Sequence, residues 1–172
     1  MTLNKKRQFK KYLYQWLEQS STHHNSREFL INSKKAIEQF MIVNAMDGLW
    51  TKSPVLLTAT LDDALGQGLD IIESFSIILG ITIKRIGLMR EPETIISICQ
   101  KEEPDYLGMT VLQFDSENEL QRISKEIPEK TCFIAGGPLF QRDANFARKC
   151  GIHETFKNVG EYIFFVLNHC VE

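Results

Sequence analysis

Residues 62 to 68, Asp-Asp-Ala-Leu-Gly-Gln-Gly, bring two carboxylates and two glycines into one short stretch behind an apolar run. Adjacent aspartates supply the oxygen ligands that a hard divalent cation prefers. Glycines that open a helix bare backbone N–H groups for a phosphate or for the amide-rich edge of a ligand. Gly66-Gln67-Gly68 is not a dinucleotide fingerprint, because the third glycine of G-x-G-x-x-G would fall at Ile71. Cys99, Cys132, Cys150 and Cys170 are widely separated, so they offer no closely spaced thiolates for zinc or an iron–sulfur cluster and read as buried free thiols. His23 and His24 sit in a polar turn and read as solvated, and His153 and His169 read as surface or strand-edge residues. No catalytic triad is legible, so the chain is expected to present no catalytic residue and no metal ligand set of its own.

The elements that must position these groups are legible as periodicities. Phe9, Tyr12, Leu13, Trp16 and Leu17 recur at helical spacing, which predicts an amphipathic helix over 3–19. Ser20 to Ser26 is a polar break, and a second helix runs from about Arg27 to Met46. Residues 47–54 read as a stop and a linker. Beyond it strands and helices alternate, with strands at 55–60, 81–86, 106–111, 132–135 and 153–156. The intervening helices are expected at 68–79, 91–101, 118–127 and 142–149, with a last one at 160–170. Short apolar strands joined by helical crossovers predict an α/β fold, a doubly wound five-stranded parallel sheet. Right-handed crossovers point to the flavodoxin-like order 2-1-3-4-5. Residues 1–50 would form a helical N-terminal extension and residues 51–172 the α/β domain.

Composition excludes several classes. The 172 residues are 43% hydrophobic and 24% charged, with a formal net charge of −2. That is the make-up of a soluble globular protein, and it advertises no nucleic acid partner. The basic run Lys5, Lys6, Arg7, Lys10 and Lys11 reads as a solvated helix face. No apolar stretch is long enough to span a membrane and none follows the N-terminus, so the expected location is cytoplasmic.

Four segments fall at the carboxyl edge of such a sheet: Asp63 to Gly68, Gly87 to Glu93, Gly108 to Leu112, and Ala135 to Pro138. In that order they resemble the cobalamin-binding domain of corrinoid methyltransferases and mutases. That family carries D-x-H-x-x-G, a Gly-x-x-x-Pro-x-Glu-like turn, S-x-L and a double glycine after strands one to four. The resemblance spans residues 50 to 172. It implies a cleft for the cofactor's nucleotide arm, lined by Thr110 and Leu112 in place of S-x-L and by Gly136 and Gly137. It also implies a loop from Asp63 through Leu65 and Gly66 to Gly68 beneath the corrin. The departure is Leu65, which stands where the family has its cobalt-ligating histidine. Leucine has no lone pair, so it cannot ligate the metal. Asp63 then loses the role of orienting that histidine. The acidic pair Asp62–Asp63 and Lys157 also resemble phosphoacceptor receiver domains, but Thr110 stands where the phosphorylated aspartate belongs.

Two functions follow as expectations. The chain binds or carries cobalamin without histidine ligation and works with a corrinoid-dependent enzyme, its N-terminal helices acting as a partial cap that a homodimer could complete. Alternatively it is a cofactor-free interaction or regulatory module on the same fold.

Overall fold

The strands form because runs such as Val-Leu-Leu-Thr-Ala-Thr are β-branched and apolar on both faces, as a sheet covered on both sides requires. The computed structural model describes residues 3–19, 26–143 and 145–169. Five strands, β1 Val55–Thr60, β2 Thr82–Gly87, β3 Tyr106–Thr110, β4 Cys132–Gly136 and β5 Glu154–Phe156, pair in parallel in the order 2-1-3-4-5. The fold is thus flavodoxin-like α/β, as the alternation of elements implies. The register aligns Thr60 of β1 with Thr110 of β3, and Thr110 with Gly136 of β4. Three strand ends therefore lie side by side at the carboxyl edge. The outer strand β2 is largely exposed and guards its edge with charge: Lys84 pairs with Glu102, and Arg85 with Asp70 at 2.8 Å.

Side chains alternate between two buried cores. Leu56 and Ile134 face a layer built from α1 Leu3–Gln19, α2 Arg27–Val43, α3 Gln67–Leu79 and α8 Val159–His169. Leu57, Leu107, Phe133 and Ala135 face α4 Pro92–Glu102, α5 Glu117–Glu126 and the single turns α6 Leu139–Arg142 and α7 Phe146–Lys149. The apolar stripe of α1 is consumed within the chain: Phe9, Leu13 and Trp16 are buried in the same cluster as Phe75 and Tyr162. Trp16 Nε1 donates to Ser33 Oγ at 3.1 Å, and the rings of Tyr12 and Phe40 stack, so α1 and α2 are pinned together. Ser26 caps α2 by accepting from the Phe29 N–H.

Most boundaries fall within one residue of the sequence expectation, and two elements depart further. The second helix stops at Val43 rather than Met46, because Asn44 Nδ2 donates to the Phe40 carbonyl and Ala45 turns to φ 47°. The helix expected at 142–149 is two separate turns. Asp143, in extended conformation, breaks it and accepts the Asn145 N–H on its own carboxylate at 2.8 Å. His23, His24 and Cys170 lie outside the described residues. Burial pushes the Cys99 thiol up to about 12 and Cys150 up to about 11, consistent with structural thiols. Among the described residues no helix is long and apolar enough to cross a membrane.

Because α1 shares a core with the sheet, Leu13→Ala is expected to lower the unfolding free energy by about 3 kcal/mol in urea titration. The transition should stay single. A separate early transition for the N-terminal helices would contradict a common core.

Candidate functional site

The carboxyl edge is organised by one hydroxyl. Thr60, the last residue of β1, is fully buried; its Oγ1 donates to the Asp63 carbonyl at 2.6 Å and accepts the Met89 N–H at 2.9 Å. Its carbonyl accepts the Arg90 N–H at 2.8 Å. The loops after β1 and β2 are thereby fastened to each other through a single side chain. A hydroxyl residue ending a strand before Asp-Asp is a turn signal, and sequence reading passed over Thr60 as plain strand.

The acidic pair is turned largely on backbone, although Asp62 Oδ1 is buried without a hydrogen-bond partner among the described residues. Asp63 Oδ1 accepts the N–H groups of Leu65 at 2.8 Å and Gly66 at 2.9 Å. Asp62 Oδ2 accepts those of Leu112 at 2.9 Å and Gln113 at 2.7 Å, tying the loop after β3 to the loop after β1. Among the described residues no group of three or more His, Cys, Asp or Glu is gathered that could hold a metal ion. Gly66 takes the left-handed conformation at φ 66°, and Leu88 and Arg85 fill the space a Cβ would occupy. The turn therefore holds Leu65 outward, 75% exposed. Met89, 58% exposed at φ 50°, and the exposed Leu112 and Phe114 extend the apolar rim along neighbouring loops. Backbone held in a sparsely populated region beside a cleft is a mark of functional loops.

Below this rim a groove of about 400 Å³ runs between α3, the sheet and the start of α8. Asp63, Leu65, Gly68, Thr110, Leu112, Gly136 and Gly137 all line it. Gly66 does not; it serves the turn. Thr110 is only 9% exposed, and its hydroxyl has no hydrogen-bond partner among the described residues. What leaves that hydroxyl open is Gly68, where an added Cβ would stand 2.8 Å from Thr110 Oγ1. The Thr110 hydroxyl is thus left facing the groove.

The two glycines after β4 have different reasons. A Cβ on Gly136 would meet only the Phe156 carbonyl, at 3.5 Å, and otherwise face the groove. A Cβ on Gly137 would lie 2.1 Å from the Val111 carbonyl, and its φ of 139° already demands glycine. Gly136 keeps the groove open, whereas Gly137 lets two strand ends approach. Deeper polar groups are paired: Tyr162 Oη lies 2.6 Å from Ser76 Oγ, and Thr58 Oγ1 donates to Glu73 at 2.6 Å. Burial holds the Tyr162 phenol well above its ordinary value, so it stays a neutral hydrogen-bonding group. Lys157 and Asn158, after β5, close the far end. Sequence reading named Lys157 only in the phosphoacceptor setting and missed Asn158, because nothing local ties that loop to the turn after β1.

No protein-family model and no curated protein matches the chain. Solved structures do. A cobalamin-binding protein from Desulfitobacterium hafniense DCB-2 superposes with a TM-score of 0.76 at 13% identity, over 97% of this chain and 82% of that one. The monomethylamine corrinoid protein of Methanosarcina barkeri gives 0.60 at 16% identity, over 79% and 68%. At these identities the likeness is one of fold.

The glycine pair yields a contrast. Gly137→Ala is expected to cost about 3 kcal/mol from backbone strain and overlap. Gly136→Ala should stay within about 0.5 kcal/mol of the parent. Thermal melts of the two variants check this; equal losses would refute the division of roles.

Proposed function

We propose that this chain is a corrinoid-binding protein that takes cobalamin at the carboxyl edge of its sheet without a histidine on the metal. One observation carries the reading: a nearly buried, unpartnered Thr110 hydroxyl, bared by Gly68, inside a groove that opens beneath an exposed apolar loop. An uncovered Leu65 wants a flat apolar partner, and Leu65 and Leu112 would meet the corrin face. Gly68, Thr110 and Gly136 would accept the arm, with Thr110 offering it a hydroxyl donor or acceptor. Asp63, Gly66 and Gly137 would act at one remove, by shaping the loops. The solved cobalamin and corrinoid proteins that share the fold support this reading.

When bound, the cobalt of the corrin supplies the chemistry of carbon–metal bonds and electron transfer. The chain's own part is to bind, orient and partly desolvate. Leu65 offers neither lone pair nor proton, so this position leaves cobalt without a protein ligand. The substrate would come from a corrinoid-dependent enzyme docking on the same edge. α2 reaches the groove through Leu30, which makes the N-terminal helices a partial cover. A cofactor-free interaction module is the second reading. It is favoured by Gly137 and Asp63, whose structural roles need no ligand.

Incubation with hydroxocobalamin followed by desalting separates the two. A red protein with about one corrinoid per chain is expected, and a colourless one overturns the proposal. In the loaded protein, Leu65→His should add imidazole ligation. Nitrogen splitting in the cob(II)alamin EPR spectrum, altered by 15N-histidine labelling, reads it out. An unchanged spectrum would remove Leu65 from beneath the metal.

A further inference from the structure

A second groove, of about 500 Å³, lies between α2 and α3. Helical spacing dictates which residues face it. Arg27, Leu30, Ile31 and Lys34 recur at i, i+3, i+4 and i+7 along α2, and Gln67, Asp70, Ile71, Ser74 and Phe75 form the matching stripe of α3. Two such stripes on neighbouring helices ordinarily interlock, ridge into groove. Here they stand around a cavity of the size that takes a small molecule. Its walls are largely apolar: Phe75 is buried, Leu30 and Ile71 are half-buried, and Ile31 is left 45% exposed.

The charges of this groove do not cancel. Asp70 is held by Arg85 at 2.8 Å, and Lys34 meets Glu38 at 3.8 Å in a loose, exposed pair. Arg27 is exposed and makes no hydrogen bond or ion pair with a described residue. The Ser74 hydroxyl is turned onto the Ile71 carbonyl at 2.8 Å and is satisfied there. With Asp70 and Arg85 paired, and Lys34 offset by Glu38, the surplus is the single charge of Arg27. A guanidinium fork matches the two oxygens of a carboxylate. One surplus positive charge complements a monoanion better than a phosphate dianion.

We infer that the groove between α2 and α3 binds a small monocarboxylate with an apolar body, the carboxylate on Arg27 and the body on Leu30, Ile31, Ile71 and Phe75. This goes beyond the corrinoid reading and stands without it. Leu30, Gln67 and Ile71 line both grooves, so the bound acid lies beside the edge proposed for the corrinoid.

Octanoate and its neutral isostere octanamide are the probes, titrated calorimetrically into the chain without added corrinoid. The parent should bind one octanoate per chain, at least about tenfold more tightly than octanamide, as one charge-assisted contact implies. Arg27→Gln should weaken octanoate about tenfold and leave octanamide unchanged, while Arg27→Lys keeps part of the preference. Ser74→Phe fills the gap from a position that does not line the other groove, and should weaken both ligands. Circular dichroism and melting temperature equal to the parent's establish that each variant folds, and the Arg27 variants decide alone should Ser74→Phe not fold. Octanoate bound no better than octanamide overturns the inference. So does an Arg27→Gln effect that is absent or the same for both, binding that a folded Ser74→Phe leaves intact, or a parent that takes up no octanoate. None of these outcomes touches the corrinoid reading, which the hydroxocobalamin loading decides.

Discussion

The whole carboxyl edge depends on the register of three parallel strands. Because β1, β3 and β4 pair without slippage, Thr60, Thr110 and Gly136 end in one line, each carrying the loop that follows it. A parallel ladder fixes strand ends as a set, since sliding one strand by a residue would also reverse which core its side chains enter. With the line set, the Thr60 hydroxyl reaches two loops at once and the Thr110 hydroxyl is left over the cavity. Packing on both faces holds the register, through Leu56 and Ile134 toward one layer and Leu57, Leu107 and Phe133 toward the other.

Above that line, small polar side chains do structural work that charged ones in such a place suggest for ligands. Asp62 joins the first and third loops and Asp63 closes the first upon itself. Hydrogen bonds from backbone N–H groups to carboxylates are among the stronger ones available to a loop. They give the edge a rigid frame without a helix or strand to supply it. The apolar rim of Leu65, Met89, Leu112 and Phe114 is presented from that frame rather than tucked against it.

Local periodicity was enough to read α1 residue for residue and to order the strands. Both depend on short-range pattern and on the handedness of crossovers. The helix expected at 142–149 failed because the Asp143 carboxylate accepts the Asn145 backbone N–H, a competition that hydrophobic spacing cannot register. The groove residues were legible through resemblance of motifs, yet their reasons were not. Gly136 and Gly137 look alike in sequence, and only the approach of the Val111 carbonyl, just past the end of β3, separates a glycine the fold demands from one that borders the cavity. The Lys157–Asn158 loop stayed hidden for the same cause. Its relation to the turn after β1 is made across the sheet, by β4 and β5 pairing, and leaves no trace in spacing.

The turn at Asp63 recognises its successors by their amide hydrogens alone. Nothing in its shape consults the side chain at position 65, which stands clear in solvent. That position is therefore an interchangeable socket: a coordinating residue can be fitted or withdrawn there by one codon, with the scaffold indifferent to the exchange. On the proposed corrinoid reading, ligation of the metal from this edge is a trait that can drift independently of foldedness.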